Sequence, residues 1–214
     1  PVSATLAVSG LDGIDLGPLR AHPDIAAVRL RRALPALVRA DGAWRKALIY
    51  AFDDFESAAI GRLTREGGSW PPAAGAIVIE HSSLDYAGAT VGAGLAVRVG
   101  EQPPQSLKVD GIARDVSLAP GWMEHLVYAY ASTDTLAQLG APTGFDELQI
   151  RVRDDGADRA AVRRVAAAAK TWLEAAGAGV GAIDVPEPGE HIHAAQMDSL
   201  LLTQGVFGLL SLLV

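Results

Sequence analysis

Cysteine is absent from the 214 residues, which removes disulfide scaffolds, thiolate metal sites and cysteine nucleophiles together. Aromatic residues are sparse at 6%. An excess of positive charge is missing as well: the formal net charge is -7, so a nucleic-acid partner would need a local basic patch working against a repulsive background. The densest basic stretch, Arg29, Arg31 and Arg32, reads as one face of a strand. No aromatic residues interleave it as a base-stacking platform would require, and no nucleic-acid partner is expected.

What is abundant is apolar surface. Half the chain is hydrophobic, enough to bury a core in one large domain or two small ones. After Asp198 no charged residue occurs, and residues 200–214 read LLLTQGVFGLLSLLV. Leu200, Leu201 and Leu202 are consecutive, and Leu209, Leu210, Leu212, Leu213 and Val214 cover every side of a helix rather than one stripe. A bilayer span needs ~20 apolar residues, and the segment reads as the start of a transmembrane helix. Its alternative is a core helix buried on all sides in a soluble domain.

Alternation and turn residues organise the rest. Ala4 to Ser9 reads as a strand, Leu16 to His22 as a short helix around Pro18, and Ile25 to Val38 as an extended run. Asp41-Gly42 supplies a hairpin turn into a return strand, Trp44 to Phe52. Asp53 and Asp54 fit the N-cap of a helix through Phe55, Ile60 and Leu63, closed by Gly67 and Gly68. Strands follow at Ala76 to Glu80, Leu95 to Val99, Leu107 to Ala113 and Leu126 to Ala131. Ser132 and Thr133 cap a short helix that stops at Gly140. Glu147 to Arg153 alternates cleanly, Asp158 to Ala176 carries helical periodicity with a stop at Gly177, and Gly179 to Val185 reads as a last strand. This order lacks the strict alternation of a doubly wound sheet, so an α+β fold is expected. Its two ends should form one strand-helix-strand subdomain around a strand-rich middle lobe, about 77–130. The expected division is 1–189 as the α+β domain and 190–214 as connector and start of the membrane helix.

Several segments together resemble the extracytoplasmic domain of FtsX-like permeases of ABC transporters, the group that includes the MacB type. They are GAIVIEHSSLDYAGATVGAGLAVRV (75–99), LKVDGIARD (107–115), HLVYAYASTDTLAQLG (125–140), ELQIRVRD (147–154) and AAVRRVAAAAKTWLEAAG (160–177). One departure is Ala93, where that family usually carries an acidic residue after the glycine equivalent to Gly92. The resemblance implies a non-enzymatic domain on the outer side of the cell membrane. It also implies an ABC-type ATPase subunit, a second permease copy, a membrane and an extracytoplasmic partner protein as partners. The ATP-binding motifs would lie on the separate subunit, and no GxxxxGK[ST] loop occurs here. The rival is a soluble ligand-binding protein or hydrolase.

Catalytic and metal constellations are weak, and no catalytic, cofactor-binding or metal-ligating residue is expected. His191 and His193 beside Glu190 make at most two ligands of a metal site. His81, Ser82, Ser83 and Asp85 contain the letters of a hydrolase triad without a GxSxG elbow, and helix capping explains the serines better. Asp154-Asp155-Gly156 reads as a turn rather than a calcium loop. Trp122 and Met123 stand in a loop between Pro120-Gly121 and Glu124. They are the candidate contact for cargo or partner, against the alternative of a tryptophan tucked into its own domain.

Overall fold

The computed structural model describes residues 2–56, 60–61, 63–154 and 158–186. The tail at 200–214, His191, His193 and the Asp155-Gly156 turn lie outside the described residues. Among the described residues no helix is long and apolar enough to cross a membrane.

The fold is α+β, and the described residues place ten strands in one hydrogen-bonded sheet. In chain order the strands are β1 (Ala4–Ser9), β2 (Ile25–Ala40), β3 (Ala43–Phe52), β4 (Leu63–Gly68), β5 (Ala76–Glu80), β6 (Gly94–Arg98), β7 (Gln105–Asp115), β8 (Val127–Tyr130), β9 (Glu147–Val152) and β10 (Gly179–Asp184). The helices among the described residues are α1 (Gly17–Arg20), α2 (Gly121–Glu124), α3 (Thr133–Gln138) and α4 (Arg159–Ala175), and His81–Ser83 form a 3-10 turn.

The sheet runs β10-β1-β9-β2-β3-β8-β5-β7-β4, and β6 pairs with both β2 and β7. That double pairing closes β2, β3, β8, β5, β7 and β6 into a ring. Alternate residues of these strands fill its interior, among them Leu34, Val38, Ile49, Ile77, Ile79, Val97, Val109 and Val127. Leu136 and Leu139 of α3 join this core. Ser132 caps α3 by accepting the Thr135 amide at 3.2 Å.

The two ends of the chain form the other half, as the order of elements predicts. Here β10, β1 and β9 extend the sheet from β2, and α4 packs on one face. Asp158 caps α4 by accepting the Ala161 amide at 2.6 Å. Val162, Ala166, Ala169 and Leu173 are its buried stripe, set against Leu6, Leu148 and Ile150. At the far end Gly177 takes φ 97°. The Gly177 and Ala178 amides return to the carbonyls of Glu174 and Leu173, the paired closure that only a left-handed residue permits.

Strand β2 belongs to both halves. Its first part pairs with β9 from Ile25 to Arg31, and its later part pairs with β3 from Arg31 to Ala40. On one face Val28 and Leu30 pack on the α4 core while Leu34, Ala36 and Val38 line the ring.

One expected helix is replaced. Over 53–63 the described residues form turns and the start of β4, and Gly67 and Gly68 close a strand instead of a helix. The Asp53 carboxylate is drawn across the sheet, accepting the Leu30 amide at 2.9 Å and an Arg20 guanidinium N–H at 3.0 Å. Phe55 meets Phe52 and Trp70 edge-on, each with ring centroids 5.2 Å apart. Tertiary aromatic packing therefore overrides the helical spacing of Phe55, Ile60 and Leu63.

Candidate functional site

The segment joining β7 to β8 carries three of the exposed large hydrophobic residues: Val116 at 55%, Trp122 at 57% and Met123 at 45% relative accessibility. Trp122 and Met123 occupy α2, and the structure presents them to solvent rather than tucking them into the domain. Exposure of large apolar side chains costs solvation free energy, and these two neighbours form an apolar patch at the surface.

The turn that holds them is built from three directions. At its start the Gly121 amide donates to Ser82 Oγ at 3.0 Å. The Ser82 hydroxyl donates in turn to Glu80 Oε2, which also accepts the Ser82 amide at 2.8 Å. Ser83 is fully buried, and its Oγ accepts the Tyr128 amide at 3.0 Å, fixing the strand that leaves the turn. At the end His125 adopts φ 52°, and the Leu126 amide returns to the Gly121 carbonyl at 2.9 Å. The His125 ring lies 6.2 Å from that of Tyr86. There is no slack at Gly121: a Cβ there would fall 2.5 Å from the Leu126 carbonyl oxygen.

The serines therefore act differently from the caps expected of them. Glu80 caps the 3-10 turn, and Ser82 and Ser83 tie that turn to α2 and β8. Nor do the letters of a triad assemble. His81 Nδ1 pairs with Glu66, which also takes Arg114, and neither serine hydroxyl is bonded to the histidine. Sequence reasoning missed the role of Glu80; its only signal was a carboxylate ending a buried apolar strand directly before two serines. Among the described residues no group of three or more His, Cys, Asp or Glu is placed to hold a metal ion.

The second polar assembly lies on the face of β2 and β9 away from α4. Arg29 is 7% exposed and has no carboxylate in ion-pair contact among the described residues. Its Nε and one terminal nitrogen donate to Gln149 Oε1 at 3.0 and 2.7 Å, and the other terminal nitrogen donates to the Ile60 carbonyl at 2.9 Å. Its plane rests over Phe52 at 4.2 Å. Burial, then the neighbouring Arg31 charge, pull the Arg29 pKa down to about 10. Arg31 pairs with Glu147 and covers the Tyr50 ring at 4.5 Å. Arg32 does not share their face. It reaches the loop before β9, with Asp146 at 3.4 Å and the Gly144 carbonyl at 3.0 Å. The basic stretch is thus spent on internal partners.

Beside it, Tyr50, Phe52, Phe55, Trp70, Tyr128 and Tyr130 form a continuous ring cluster on the outside of the barrel wall, half of the Trp, Tyr and Phe in the chain. Burial raises Tyr50 to about 12 and pushes Tyr130 well above its ordinary value. The Tyr130 hydroxyl donates to Asp115 at 3.2 Å. A half-open cleft of about 420 Å³ lined by Arg20, Val28, Arg29, Asp53 and Asp54 opens next to this face. Arg20 and Asp53 are already paired, and Asp54 accepts the Glu56 amide at 2.8 Å, so its charged walls are internally satisfied.

No family model matches the sequence, and no curated protein matches it. Solved structures do match the fold. The extracellular domain of the noncanonic ABC-type transporter YknZ from Gram-positive bacteria superposes with a TM-score of 0.54 at 12% identity, covering 87% of this chain and 100% of that one. The periplasmic region of MacB from Actinobacillus actinomycetemcomitans superposes with a TM-score of 0.52 at 11% identity, covering 84% of this chain and 89% of that one. The chain has the fold of these domains, and at such identities the likeness speaks for the fold alone.

Proposed function

We propose that this chain is the extracytoplasmic domain of an ABC-type transporter permease, without catalytic activity of its own. In this reading it works with an ATPase subunit and a second permease copy, and it couples ATP-driven movement of membrane helices to export or to a partner outside the membrane. The observation that carries the reading is the extent of the fold match, which takes in nearly all of this chain and all of the YknZ domain. The uncharged apolar run from Leu200 to Val214 supports it from an independent direction, because it lies where such a permease returns to the bilayer.

Absence of cysteine makes the placement directly testable. Val91 is 44% exposed, and Val91→Cys in the full-length gene product supplies one thiol in this domain. Labelling of intact cells by a membrane-impermeant maleimide is the expected outcome. Labelling only after the cells are opened would overturn the reading. Coupling is tested with the reconstituted permease and its ATPase subunit: deletion of residues 4–186 should abolish stimulated ATP turnover or transport while leaving assembly of the membrane part intact.

A further inference from the structure

We infer that the α2 turn is a preorganised docking knob for a protein segment that presents an apolar side chain flanked by lysine or arginine. The inference deepens the permease reading by assigning chemistry to its extracytoplasmic partner, though the geometry stands without it.

Two features of the turn favour docking. Trp122 and Met123 project from a turn whose start, end and departing strand are each held by specific hydrogen bonds. Little backbone entropy is therefore lost when they are covered, which lowers the cost of docking on them. Trp offers a broad rigid face and Met an adaptable one, a combination suited to gripping a side chain whose shape is not tightly constrained.

Charge then selects among possible partners. Glu124 sits beside Met123 and is exposed. Asp85, also exposed, precedes Tyr86, whose ring lies against His125. Neither carboxylate has an ion pair among the described residues, and the nearby Arg45 is engaged by Asp41 and the Tyr86 carbonyl. A knob of Trp and Met with unpaired carboxylates attracts guanidinium and ammonium groups, which also favour the Trp face. An anionic lipid surface meets the opposite conditions, since these carboxylates and the net charge of -7 repel it. A second copy of the chain brings the same acidic rim and is disfavoured for the same reason.

The experiment uses the 214-residue chain and two synthetic peptides of equal length. One carries a central Phe flanked by Lys and Arg, and the other the same Phe flanked by Asp and Glu. Binding is read by titration calorimetry, with anionic phosphatidylglycerol vesicles and analytical ultracentrifugation as parallel arms. The expected result is saturable binding of the basic peptide alone. Trp122→Ala with Met123→Ala should weaken it roughly 30-fold or more, as for a hot-spot anchor, with an unchanged melting temperature. Asp85→Asn with Glu124→Gln should weaken it several-fold and flatten its salt dependence. The proposal is overturned if neither peptide binds, if both bind equally, or if the double alanine variant binds as well as the parent. It is equally overturned if the knob residues mediate vesicle binding or self-association instead. Failure here leaves the labelling test of membrane placement untouched, so the two readings fall separately.

Discussion

The two halves of the molecule solve the same problem by different means. The ring buries a core inside strands hydrogen-bonded on both sides, whereas the α4 half leaves its sheet open and covers one face with a single helix. Closure removes unpaired strand edges, and an open sheet must blunt them. The free edges carry such devices: β10, in the α4 half, pairs with β1 through a register shift, and β4, laid along the ring strand β7, has a shift and the adjacent charged residues Arg65 and Glu66. The difference also explains where polar chemistry accumulates. On the face of that sheet turned away from α4, Arg31 and Glu147 are half-buried, while Arg29 and Gln149 are buried and satisfy each other by hydrogen bonds.

The sharpest test of whether these halves are separate bodies is to damage each core in turn. Ile49 lies in the ring and Leu173 in the α4 layer, both fully buried. Either Ile49→Ala or Leu173→Ala should cost about 2–5 kcal/mol, the range for large-to-small core changes. Because β2 crosses both cores, each variant should shift one shared urea transition. Two separated transitions would show that the halves unfold independently.

A smaller effect is expected at the junction. Arg29→Ala leaves Gln149 without its donors and exposes the Phe52 ring, so a loss of about 2–3 kcal/mol is expected in urea melts. Arg29→Met keeps an apolar stem over that ring and should lose less. If the two variants are equally destabilised, the ring contact contributes nothing.

Smaller again, Asp158→Ala should cost about 1 kcal/mol through loss of the α4 cap. Ser132→Ala should act on α3 to a similar extent, and a circular-dichroism melt would compare the two. The smallest effect concerns acid. The Arg114 and His81 hydrogen bonds hold the Glu66 carboxyl below its ordinary value of 4.5. A depressed folded-state pKa adds stability above the unfolded value, and that stability disappears as pH falls through the folded one. Glu66→Gln should therefore flatten the acid limb of the stability profile below about pH 4.5, with no change near neutrality. An unchanged acid limb would show that this exposed trio is without thermodynamic effect.

Local pattern made much of this architecture legible. Clean alternation identified β9, helical spacing identified α4, and Asp41-Gly42 marked the β2–β3 hairpin, where both residues take positive φ. The shared sheet of the two chain ends was readable from element order. Ring closure was not, since the pairing of Val38 with Val97 joins distant segments that carry no mutual signal. The expected helix after Asp53 failed because spacing alone cannot distinguish a stripe of a helix from side chains gathered into an aromatic cluster. At the knob, Trp122 and Met123 were visible as residues but not as exposed ones. Their presentation depends on Glu80, Ser82 and Ser83, some forty residues earlier.

Strand β2 also limits how this sequence can change length. Leu30 serves the α4 layer and Leu34 the ring, and an even separation keeps both on one face. Deleting a single residue between them would rotate one core's side chains to the opposite side while leaving the other in place. Loops elsewhere can lengthen or shorten freely by comparison. Homologous chains should therefore vary in the length of loops that touch neither core, yet conserve the parity of the Leu30-to-Leu34 interval even where every side chain between them has been replaced.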